Sequence, residues 1–170
     1  MRWLVGLGLV VTLCGMVMVG KQGTVKAIGA QTAPPMVMKK AKGVTDASGV
    51  MYFSHDETAD ALKESLVLDD EVPKKNYRAA VYHRDKGGEV EIHKKDTDVF
   101  YIVEGSATFV TGGTITGGKE TAPDEIRVAT MQGGVERRLS KGDVIIVPAN
   151  VTHWYKEVQQ PITYFGVKVQ

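Results

Sequence analysis

Four side chains in this sequence have types and spacing suited to holding a metal ion: Glu91, His93, Asp98 and His153. Three of them fall in EIHKKDTDVFYIVEG (residues 91–105), and the fourth follows the turn PANVTH. Successive side chains on a β-strand alternate faces, so Glu91 and His93 point the same way, about 7 Å apart. Asp98 opens the next run after a turn at 94–97 that can bring it back over the same face. Two imidazoles and two carboxylates converging from different strands form a donor set that a borderline-to-hard divalent ion accepts. The plain alternative is that Glu91 and His93 are solvated polar residues on a strand edge.

Strands must position such a set, and the sequence supplies them. From Tyr77 onward, short β-type runs alternate with Gly, Asp and Lys: YRAAVYHR (77–84), GEVEIH (88–93), DVFYIVEG (98–105), SATFVTGG (106–113), DVIIVPA (143–149), THWYKEV (152–158) and ITYFGVKV (162–169). About seven closely spaced strands with turn residues between them predict an all-β sandwich or small barrel. Upstream, a short strand is expected at Val50–Phe53. Ser54 lies three residues before Glu57, the spacing of a capping box. Ala59, Leu62 and Leu66 share one helical face over HDETADALKESL, which predicts a single helix packed outside the sheet. The interval 111–141 carries three Gly-Gly pairs and no clean period, and reads as a long loop able to act as a lid or rim.

The spacing of these residues resembles the two signature motifs of the cupins. The first motif runs Gly, five residues, His-x-His, three or four residues, Glu, six residues, Gly. Asp98 and Gly105 match its closing half with Asp for Glu, while His93 falls on the second His and Glu91 on the first. The second runs Gly, five residues, Pro-x-Gly, two residues, His, three residues, Asn. Gly142, Pro148 and His153 follow it, with Asn150 for Gly and Glu157 for Asn. Asn tolerates the left-handed turn conformation nearly as well as Gly. The resemblance covers about residues 77–169 and implies a cupin-type β-barrel (double-stranded β-helix, or jelly roll). It also implies one divalent transition metal, Mn, Fe or Zn, held by Glu91, His93, Asp98 and His153. Alternation places Phe100, Ile102 and Tyr155 on the cavity wall. Glu91, Asp98 and His83 are the catalytic candidates, since a carboxylate beside a metal, or an imidazole, can carry a proton.

Residues 1–30 have the layout of a secretory signal peptide. Arg2 precedes the uncharged run WLVGLGLVVTLCGMVMVG (3–20), and the small-residue site IGA (28–30) predicts cleavage near Ala30. An uncleaved anchor is the alternative, because eighteen apolar residues are just long enough to span a bilayer. Residues 31–49 read as a flexible linker and 50–170 as the barrel domain. The single cysteine, Cys14, lies in the leader, so the mature chain cannot be a disulfide scaffold. Without Arg2, Lys21 and Lys26 the chain has 18 basic and 20 acidic residues, a balance of −2, with no basic run to suggest nucleic acid. The expectation is an exported, periplasmic or secreted, metal-binding protein acting on a small molecule. It would be a dioxygenase, lyase or isomerase, or else a non-catalytic barrel binding a sugar or small acid. A homodimer through ITYFGVKV is also expected.

Overall fold

Alternating apolar residues form the strands, and glycines mark where they turn. The computed structural model describes residues 38–60, 63–71 and 74–170. The chain runs β1 (Lys39–Lys40), β2 (Val44–Thr45), β3 (Met51–Tyr52), α1 (His55–Ala59), β4 (Leu66–Asp69), β5 (Tyr77–Arg84) and β6 (Val90–His93). It continues through β7 (Thr97–Thr111), β8 (Lys119–Ala122), β9 (Glu125–Val128), β10 (Val135–Ser140), β11 (Val144–Val147) and β12 (His153–Val169). Ten of these strands form one curled sheet, and β2 and β3 pair separately. This is the all-β barrel architecture expected from the sequence. No helix among the described residues is long and apolar enough to cross a membrane. The expected leader lies outside the described residues.

Two long antiparallel strands, β7 and β12, carry the architecture. The runs expected as separate strands at 98–105 and 106–113 are one strand bent at Gly105. There φ is +79°, and a Cβ would fall 1.9 Å from the carbonyl oxygen of Pro161 on β12. Only glycine accepts both that dihedral and that approach. The outer half of β7 pairs with β11, and its second half with β10. Asn150 has φ +65°, the left-handed turn expected of it. Its amide donates to the carbonyl of His93 (2.8 Å), tying the second motif's turn to the first motif's strand.

The main core joins Phe100, Ile102, Phe109, Leu139, Tyr155, Ile162 and Tyr164. Phe109 meets Tyr155 edge-on at 4.6 Å between centroids, and Tyr155 stacks on Tyr164 at 5.1 Å. A second cluster of Leu66, Leu68 and Val81 takes Phe53 and Phe165 against it. Within ITYFGVKV, Ile162 and Tyr164 sit in the barrel core, Phe165 packs half-buried against the second cluster, and Val169 is exposed.

Three expectations are corrected here. The capping box forms as expected, with the Ser54 hydroxyl accepting from the Glu57 amide and the Glu57 carboxylate accepting from the Ser54 amide. The helix, however, ends at Ala59, and Leu66 lies on β4 opposite Val81. Sheet pairing and burial override the helical period there. The second half of the expected linker carries β1 and β2, because Lys39 and Lys40 pair by backbone with β4 at the edge of the sheet and need no apolar pattern. The interval 111–141 is not a long loop: it contains β8, β9 and β10. The side chains of β8 and β10 are largely solvated and those of β9 half-buried, so alternation of apolar residues never announced them.

Candidate metal centre

Register brings the chemistry together. Within β6, Glu91 and His93 share a face by alternation. Across from them, Glu91 pairs with Arg127 and His93 with Glu125 on β9. On the other side, Glu91 pairs with His153 at the start of β12. Asp98 on β7 stands opposite Lys168 near the end of β12. Five strands thus deliver charged or imidazole side chains to one place once Arg84 at the end of β5 is included.

The Oε2 atom of Glu91 lies 3.6 Å from His93 Nε2 and 3.9 Å from His153 Nε2. One donor atom from each of these three buried or nearly buried side chains falls within 4.8 Å of the others. Atoms each about 2.1 Å from a shared ion are at most about 4.2 Å apart, so this donor set fits a divalent transition metal after a small inward movement. The far nitrogen of each imidazole is occupied, as metal-bound histidines require. His153 Nδ1 is 3.1 Å from the Val151 carbonyl, and His93 Nδ1 is 2.8 Å from Asp98 Oδ2.

The placement of Asp98 departs from the four-donor expectation. Its two oxygens are taken, Oδ2 by His93 and Oδ1 by the Lys168 ammonium at 2.6 Å. Although Oδ2 also lies 3.4 Å from His153 Nε2, Asp98 does not join the group of three. Asp98 thus bridges His93 and Lys168. Phe100 and Ile102 continue its face into the apolar core, and neither they nor Tyr155 are among the residues lining the cavity beside the cluster. Tyr155 lies between that core and the ionic cluster, with the Arg84 guanidinium 4.9 Å above its ring. Its buried hydroxyl has no hydrogen-bond partner among the described residues. His83 is not brought to the cluster. Alternation on β5 turns it away from Arg84, and its ring meets Thr163 and Asp85 instead.

Glu125, Arg127, Arg84 and Lys168 complete the site, and the reading from sequence missed all four. Arg84 and Arg127 reach Glu91 Oε1 at 3.5 and 3.3 Å. Glu125 joins Arg127 at 2.7 Å and lies 3.4 Å from His93 Nε2. Lys168 lies 3.0 and 3.1 Å from the two ring nitrogens of His93. Their signal was alternation: ITYFGVKV puts Lys168 on the face of Tyr164 and Ile162, and EIRV puts Glu125 with Arg127.

Three carboxylates, Glu91, Asp98 and Glu125, thus face three cations, Arg84, Arg127 and Lys168. Burial pushes Glu91 upward, but Arg84 and Arg127 outweigh it and hold its carboxyl below the ordinary value. The His93 hydrogen bond, with Arg127, holds Glu125 well below the carboxylate range. Burial lowers His93, yet hydrogen bonds to Asp98 and Glu125 prevail and raise it to about 9 in the absence of metal. Burial lowers His153, and there the nearby carboxylates do not compensate. A cavity of about 570 Å³ opens beside the cluster, lined by Arg78, Tyr82, Arg84, Glu91, Arg127 and Lys168 among others.

A family model described as Cupin matches residues 76–170. The chain belongs to the cupin family. This cupin is similar in structure to the cupin domain of Schizosaccharomyces pombe Cnp3 (19% identity, TM-score 0.43), covering 61% of this chain and 58% of that one. It is also similar to a cupin superfamily protein from Desulfitobacterium hafniense (14%, 0.43), with 62% of this chain and 74% of that one covered. A further similar structure is a predicted oxalate decarboxylase from Thermotoga maritima (15%, 0.42), with coverages of 60% and 74%. No curated protein matches the chain.

Proposed function

We propose that this cupin is exported and holds one divalent transition metal ion, Mn, Fe or Zn, between Glu91, His93 and His153. It would act on a small anionic molecule as a metal-dependent enzyme of the dioxygenase, lyase or isomerase type. The observation that carries this reading is the convergence of one carboxylate oxygen and two imidazole nitrogens within 4.8 Å of one another, beside an open cavity. Such an ion supplies Lewis acidity when bound.

The protein's own groups have separable tasks. Asp98 and the Val151 carbonyl fix the two imidazoles with their Nε2 atoms toward Glu91. Arg84 and Arg127 present guanidinium donors to the cavity, a planar fork matched to a carboxylate. Glu125 lines the cavity beside His93 but outside the donor group, held ionised by His93 and Arg127. In this arrangement Glu91 is a ligand and Asp98 a positioning residue.

A second reading, binding of a small acid without turnover, is favoured by the ion pairs that give each of the three carboxylates a cationic partner without a metal. Elemental analysis of the mature protein separates the two. One transition metal per chain, lost in both Glu91→Ala and His153→Ala, is the result expected for the metal centre. No metal in the wild type after reloading with Mn, Fe and Zn would leave the binding module.

A further inference from the structure

We infer that Lys168 is a tethered competitor for the metal: its ammonium must leave its place before Glu91, His93 and His153 close on an ion. The inference rests on the metal-binding reading above and concerns a residue that neither signature motif includes. The Lys168 Nζ atom stands 3.1 Å from His93 Nε2, the nitrogen that faces Glu91, and 3.0 Å from Nδ1 of the same ring. At equal distances from both nitrogens it rests against the face of the imidazole, outside the line of either lone pair. An ion about 2.1 Å from Nε2 would therefore lie within about 5 Å of the ammonium.

Each carboxylate nearby is already engaged by a cation, which leaves Glu91 Oε2 to face an ion. Asp98 is already bound to Lys168 at 2.6 Å and to His93 at 2.8 Å. Glu91 already serves two guanidiniums, and Glu125 serves Arg127. Lys168 is 8% exposed, so water screens little of the repulsion. The side chain nevertheless lines the cavity, and its four-carbon stem has room to swing outward there. Its position is set by backbone register, Lys168 opposite Asp98, so the ammonium returns whenever the ion leaves. Metal affinity in this cupin is then a competition between a diffusible cation and a built-in one.

The test is calorimetric titration of metal-stripped protein with Zn²⁺ and Mn²⁺ alone, at one pH, comparing wild type with Lys168→Met. Methionine keeps the stem and removes the charge. Lys168→Arg, which keeps it, is the control, and Lys168→Gln replaces the methionine variant if that one does not fold. Affinity at least tenfold tighter in Lys168→Met, with Lys168→Arg no tighter than wild type, is the result expected. Equal or weaker binding by the folded neutral variant overturns the competition while leaving the metal centre standing. Absence of binding in the wild type and every variant overturns both.

Discussion

The same two strands, β7 and β12, build two neighbouring regions of opposite character. On one stretch of their shared inner face they place Phe100, Phe109, Tyr155 and Tyr164, whose rings meet at 4.6 to 6.4 Å. Beside it, on the same face, they place Asp98, His153 and Lys168. The aromatic region stabilises the fold through apolar area removed from water, about 25 cal/mol per Å². The ionic region contributes little net stability, because desolvation of buried charges consumes most of their attraction. Breaking it one partner at a time is nonetheless costly. A cluster that stabilises little and tolerates no single loss is what a working site looks like beside a packing core.

Substitutions can test that contrast. The largest effect is expected from Phe109→Ala, which empties a fully buried position. A loss of about 3–5 kcal/mol in urea unfolding, with metal content unchanged in the surviving folded fraction, follows from the cavity left behind. Next comes Asp98→Ala, which strands the Lys168 ammonium in the interior and should cost about 3 kcal/mol in metal-free protein. Adding Lys168→Met should recover most of that loss. If the double variant is no more stable than Asp98→Ala alone, the cluster is a packing element like its neighbour, and the contrast fails.

The smallest and most diagnostic effect is the pH dependence of the metal-free protein. His93, facing Glu91, Asp98, Glu125 and Lys168, is raised from 6.5 to about 9. It therefore contributes stability that is complete below pH 6.5 and lost as pH rises through 9. His153, facing Glu91, Asp98 and His93, is lowered from 6.5, so the unfolded chain takes up its proton first and stability falls below that pH. Glu91 and Glu125 are lowered from 4.5 and Asp98 from 3.8, which steepens the acid side further. Urea midpoints measured in chelator should peak near pH 6.5 and decline on both sides. In Phe109→Ala the peak should keep its position at lower height, and a flat profile in wild type would contradict the site's electrostatics.

What the sequence revealed depended on which regularity each residue obeyed. Glu91, His93, Asp98 and His153 were legible because motif spacing and two-residue alternation agreed, and strands β5 and β11 because their apolar residues were regular. Glu125 and Arg127 were hidden because β9 lies among glycines and carries no buried residue to mark an inner face. Lys168 was hidden by the opposite circumstance, a lone charge in an apolar strand that reads as a surface residue until its register with Asp98 is known. Leu66 shows a third failure, since a helical period continued past the point where the chain had already turned into the sheet. Spacing showed where Asp98 stands but not that its oxygens meet His93 and Lys168.

The contacts joining Lys168 to Asp98 and His93 close stretches of 70 and 75 residues. Bringing together residues that far apart in sequence costs loop-closure entropy that only the finished sheet repays. In this cupin the charged contacts of the site are therefore also ties between the end of β12 and the strands that open the barrel.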